Sequence, residues 1–291
     1  MKRILLFVGT NLLVMTTITA VVYLTGLHRY TTAYGLNLPT LAVFSLVVGF
    51  GGSFISLFIS KWMAKMAMGV QVIDPARPGS PDAAWLVQTV HDAARKAGLE
   101  KMPEVGVFES PEMNAFATGP SRNNSLVAVS TGIFQHMDRG AASAVIGHEV
   151  AHIANGDMVT MTLLQGIINT FVVFLARVLA SLVGAGDRDR SGLVYFLTVM
   201  VFQTVLTLLG SMVVMAFSRW REFRADAGGA QLEGRDNMIR ALQTLKQNQA
   251  LPYRRAESLA TMQIYGRGGL MKLFMSHPPL DERIAALQAS R

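Results

Sequence analysis

The chain has 291 residues, a net charge of +7, 51% apolar residues, 15% charged residues and no cysteine. Without cysteine there is no disulfide framework and no thiolate metal site, so any metal must be held by His, Asp or Glu. The charged fraction lies well below the roughly 25% of soluble domains, which points to a membrane protein. The basic residues flank apolar runs and do not alternate with aromatics, which fits an anionic membrane surface and not nucleic acid.

About 20 apolar residues cross a hydrocarbon core, and four stretches are long enough. Residues 4–27 carry no charge over 24 residues. They follow "MKR", as a signal peptide would, but the run is too long and no small-residue cleavage site follows, so it reads as a retained span. Residues 36–60 form a second span, with 25 residues free of charge. A polar piece comes next. "SPDAAWLVQTVHDAARKAGLE" predicts an amphipathic helix capped by Ser80. "EVGVFES", "MNAFATG" and "SLVAVST" are short apolar or β-branched runs broken by Pro, Gly and Asn, and predict strands of a small sheet. "RGAASAVIGHEVAHIANG" predicts a helix. A third apolar stretch, residues 158–176, follows at once. Its Gln165 and Asn169 suit a bundle interior, and Arg177 must snorkel outward or pair. Residues 193–218 form the fourth. The remainder is mostly helical, with a glycine-rich break at "YGRGG", and "SHPPLDER" reads as a helix start, Ser276 standing before a helix led by Pro278.

Lys2, Arg3, Lys61, Lys65, Arg219, Arg221 and Arg224 collect on one side of these spans. Arg29, Arg188 and Arg190 fall on the other, the last two beside Asp187 and Asp189. The richer side is expected in the cytoplasm, with both termini. The expected organisation is two N-terminal transmembrane helices over 1–65, a cytoplasmic domain from 66–157 and 219–291, and a transmembrane hairpin over 158–218 inserted into it.

The chemistry lies in "GHEVAH". Four helical residues turn the chain by about 400°, so His148 and His152 share a face and can grip one Zn²⁺. Glu149, beside the first, can take the proton of a zinc-bound water. Neighbouring residues are small and apolar, so these polar groups sit on a helix that otherwise reads as buried and need partners there. A catalytic zinc takes three protein ligands and keeps one position open. Glu222 in "SRWREFRADAGGA" is the best third ligand, because it follows the fourth span as His152 precedes the third. Asp226, four residues on, shares its helix face and can hold a ligand histidine from behind.

"HEVAHIANGD", a two-span hairpin, "REFRADAGGA", "MNAFATG" and "SHPPLDER" together resemble the HtpX family of bacterial membrane metalloproteases, relatives of the CAAX prenyl proteases. The resemblance covers essentially the whole chain. It implies an α-helical membrane protein with four transmembrane helices and a cytoplasmic α+β zincin-like (gluzincin) catalytic domain. By that resemblance His148, His152 and Glu222 would bind one Zn²⁺, and Glu149 would be the general base. Asp226 would lie behind the metal, paired with Arg283. His277 would stabilise the oxyanion, and Asn114, Ala115 and Phe116 would align the substrate. The family's substrates are damaged or misfolded membrane proteins, cleaved at the inner membrane under stress. Where relatives often have Glu, five residues before His148, this chain has Ser143, so a salt bridge from that position is not expected. A prenyl-protein peptidase of the same chemistry would need a large intramembrane chamber, and four spans are few to enclose one. A membrane scaffold with structural zinc would have no use for Glu149, since structural zinc sites are closed and usually contain Cys. Oligomeric state is not legible.

Overall fold

The computed structural model describes residues 38–184, 192–249 and 275–289. The predicted span at 4–27, the loops around 28–35 and 187–191, and "YGRGG" lie outside them. Two compact units are present. Among the described residues, one comprises 38–55, 162–184 and 192–214; the other comprises 56–161, 215–249 and 275–289.

In chain order the elements are α1 (Leu38–Met68), β1 (Gln71–Val72), α2 (Pro81–Lys96), β2 (Glu104–Phe108), β3 (Ala115–Ser121), β4 (Asn124–Ser130), α3 (Thr131–His136), α4 (Arg139–Asn155), α5 (Asp157–Gly184), α6 (Gly192–Glu233), α7 (Arg235–Gln249) and α8 (Leu280–Ala289). Three helical stretches are long and apolar enough to cross a membrane: Thr40–Met68, Asp157–Ser181 and Gly192–Glu233. They coincide with the second, third and fourth predicted spans. Val43, Phe58, Phe171, Val201 and Leu209 stand exposed along them, as expected of side chains solvated by lipid.

In the first unit, small residues let the helices approach closely, the usual device where lipid removes the hydrophobic drive. A Cβ on Gly49 would lie 2.5 Å from Thr170 N, and one on Gly166 would lie 2.6 Å from the Phe50 ring. Three polar side chains bond in series. Gln165 donates to Asn169 Oδ1 at 2.8 Å, Asn169 to Ser53 Oγ at 3.4 Å, and Ser53 to the Gly49 carbonyl at 3.0 Å. Arg177 donates to the Val173 carbonyl at 3.0 Å and lies 4.9 Å from the centre of the Phe44 ring.

The second unit contains a four-stranded sheet in the order β1-β2-β4-β3. β2 and β4 are parallel; the outer pairs are antiparallel. "SLVAVS" is buried throughout, as a strand covered on both faces must be. β3 is an edge, and its Gly119, at φ +143°, passes so close to β4 that a Cβ would overlap Asn124 O. Ser80 caps α2, accepting from Ala83 N at 3.1 Å, and Leu86, Val87, Val90, Ala93 and Ala94 face the core. α4 runs through the middle, packed on α2, α7 and β3. Asp138 caps its start, accepting from Ala141 N at 2.8 Å, and Gly156 in the left-handed region (φ +69°) ends it. Such a glycine turns the chain without the strain a Cβ would bring. "SHPP" does not open a helix at Pro278. A residue before proline avoids helical backbone, so α8 begins at Leu280, with the Pro279 carbonyl accepting from Glu282 N at 3.0 Å.

Candidate metal centre

His148 and His152 project from α4 with their Nε2 atoms 3.2 Å apart and their rings almost perpendicular, at 88°. Glu222 comes from α6. Its Oε2 is 3.6 Å from His148 Nε2, and its Oε1 is 3.4 Å from His152 Nε2. All three side chains are buried, and one ligand atom from each falls within 4.8 Å of the others. What permits this is a glycine pair on α6. A Cβ on Gly229 would lie 2.9 Å from the His148 backbone N, and one on Gly228 would lie 2.7 Å from Ala151 Cβ. "AGGA", three residues past Arg224, is a packing surface that lets two helix backbones touch.

Behind the donors stands an acid for each histidine. Asp226 Oδ1 is 2.9 Å from His148 Nδ1, but the approach is off-line and His148 Nδ1 has no aligned hydrogen bond. His152 Nδ1 does have one, to Asp157 Oδ2 at 2.6 Å. Each acid is gripped by an arginine. Arg283 donates to both oxygens of Asp226, and Arg224 Nη2 to Asp157 Oδ1 at 2.6 Å. Neither Asp157 nor Arg224 was singled out by the sequence; a cap glycine followed at once by an acid was the available signal.

The electrostatics favour a cation. Burial opposes charge on His148, yet Asp226 and Glu222 outweigh it and push its pKa up to about 9. His152 is also raised, burial being overcome by Asp157 and Glu222. Burial would raise Glu222, but His148, His152 and His277 hold it well below the usual carboxylate range. Asp226 is lowered against burial by Arg283 and His148. The field that draws protons onto two histidines also draws a divalent metal. Two imidazole nitrogens and one carboxylate are a donor set that suits zinc among common metals.

Glu149 is half-buried, and its carboxylate makes no hydrogen bond among the described residues. That leaves it available to a water or substrate. His277 is exposed, with Nδ1 2.8 Å from Glu222 Oε2. Arg283 Nη1 lies 3.6 Å from the same oxygen. Ala115 and Phe116 lie in edge strand β3, and Asn114 just before it, its carbonyl accepting from Ser130 N at 2.8 Å and its N–H donating to Ser130 Oγ at 3.0 Å. Phe116 packs 5.6 Å from the Phe108 ring centre.

The family model described as Peptidase family M48 matches residues 80–291. The chain is 52% identical to a protease HtpX homolog of Thiobacillus denitrificans over 294 residues, covering 99% of each. It is 54% identical to the Bacillus licheniformis homolog over 295 residues, with the same coverage, and 52% identical to that of Bacillus subtilis over 296 residues, again covering 99% of each. The fold is similar to that of S. mikatae Ste24p, with a TM-score of 0.63 at 19% identity; the match covers 98% of this chain and 66% of that one. A match over most of the length to a peptidase model, together with relatives near half identity from end to end, assigns the chain to Peptidase family M48.

Proposed function

We propose that this chain is an integral-membrane zinc endopeptidase that cleaves misfolded or damaged membrane proteins at the cytoplasmic face of the bacterial inner membrane. The observation that carries the reading is the buried His148, His152 and Glu222 cluster, with Glu149 next to His148 on the same helix. His148, His152 and Glu222 would hold the zinc. Bound there, zinc supplies a Lewis acid that acidifies water and polarises a peptide carbonyl. Glu149 takes the proton of the attacking water and passes it to the leaving amine. His277, exposed beside Glu222, is assigned to the charge developing on the carbonyl oxygen. Asp226 and Arg283 hold His148 from behind. The edge strand β3 would align an extended peptide along Asn114, Ala115 and Phe116. Recognition through main-chain bonds tolerates varied sequence.

The proposed layout is four transmembrane helices with both termini in the cytoplasm. Residues 1–65 supply two of them, 158–218 form a hairpin, and 66–157 with 219–291 form the peptidase domain. The test is metal content and hydrolysis of the purified full chain beside Glu149→Gln. The variant should retain its zinc and lose about 10²- to 10⁴-fold in turnover, the range for a general base. Near wild-type turnover would rule out the mechanism.

A further inference from the structure

Asp157 is fully buried and opens α5. An acid in the first turn of a helix ordinarily serves the macrodipole from the surface. This one has no surface. Both of its oxygens are taken: Oδ2 accepts from His152 Nδ1 and Oδ1 accepts from Arg224 Nη2, each at 2.6 Å. The left-handed turn at Gly156 is what lets a residue five positions past His152, on a different helix, reach back to that ring. Arg224 is itself braced, its guanidinium carbon 5.0 Å from the centre of the Trp220 ring one turn earlier on α6.

The comparison with His148 sharpens the point. His148 Nδ1 meets Asp226 off-line, while His152 Nδ1 meets Asp157 in an aligned hydrogen bond. An imidazole that donates from Nδ1 keeps its lone pair on Nε2. His152 Nε2 is the atom that faces His148 and Glu222.

We propose that Asp157, held by Arg224, is the positioning residue of His152, fixing its ring and tautomer so that Nε2 is presented to the metal. The inference rests on reading His148, His152 and Glu222 as a metal site. Residues behind a ligand typically change metal affinity by 10- to 100-fold when removed.

The test uses the full chain in detergent, loaded with zinc or with cobalt. Zinc affinity is measured by chelator competition, and the cobalt d–d absorption reports ligand geometry. Asp157→Ala should weaken zinc binding by about 10- to 100-fold and shift the cobalt bands. Asp157→Asn, whose amide oxygen can still accept from Nδ1, should recover part of both. Arg224→Ala should weaken zinc binding by a smaller factor, and Arg224→Lys should restore much of it. Wild-type affinity and unchanged cobalt bands in Asp157→Ala would overturn the proposal. Should Asp157→Ala fail to fold, Arg224→Ala decides in the same way, by weakened or wild-type zinc affinity. A wild-type chain that binds no metal would overturn the metal-site reading itself, before any variant is made.

Discussion

Arg283 closes on Asp226 with a two-pronged grip, Nε to Oδ2 at 2.7 Å and Nη2 to Oδ1 at 2.5 Å, although 57 residues separate them. Both side chains are buried. A buried carboxylate is tolerated only when its lone pairs are filled, and a fork-shaped guanidinium fills two at once. α8 is thereby tied to the rear of His148.

Asp226→Ala and Arg283→Ala should each lower zinc retention, and the double variant should lose clearly less than the two combined. Residues in contact couple by roughly 0.5–3 kcal/mol. Chelator competition on the three variants measures the coupling. Strict additivity would remove Arg283 from the site.

Metal binding should strengthen with pH. The His148 pKa lies near 9 in the metal-free chain, so at pH 7 the ring carries a proton that a metal must displace. Each displaced proton makes affinity rise by about tenfold per pH unit below the pKa, levelling off above it. Zinc titrations between pH 6.5 and pH 9.5 would show this slope, and a flat profile would mean that neither histidine gives up a proton to the metal.

Gly229→Ala should damage the site from outside it. The added methyl would meet His148 N at 2.9 Å and its Cα at 3.1 Å, both backbone atoms that cannot swing away. Overpacking of this kind costs about 1–3 kcal/mol. Thermal midpoint and metal content should fall together; an unchanged midpoint would mean that α4 and α6 stand further apart.

The chain has no cysteine, so single cysteines report topology cleanly. A cysteine at Ser191 should react with an impermeant thiol reagent applied outside the cell, and one at Ser80 should not, following the Lys and Arg asymmetry. The reverse pattern would invert the proposed orientation.

Much of the architecture is local and therefore legible. His148 and His152 share a face because the helix repeat demands it, and Ser80 before Pro81 marks a helix start. The second, third and fourth charge-free runs appear as long helices with apolar residues turned outward. What stayed hidden depends on chain reversal or on close approach. Asp157 reaches His152 only because Gly156 turns the backbone, so no helical spacing connects them. Gly228 and Gly229 read as composition until α4 lies against them. Arg224 read as one of several juxtamembrane charges, because nothing in its own stretch names Asp157 as its partner. α8 starts later than "SHPP" suggests, because the second proline bars the first from helical backbone.

The grip of Arg283 on Asp226 also sets an order of assembly. Ribosomes deliver His148 and His152 first, then Glu222 and Asp226, and α8 after all of them. Until α8 emerges, Asp226 lacks the guanidinium that fills its lone pairs, and the rear of His148 is unsupported. A half-made chain therefore carries His148, His152 and Glu222 before the brace behind His148 exists.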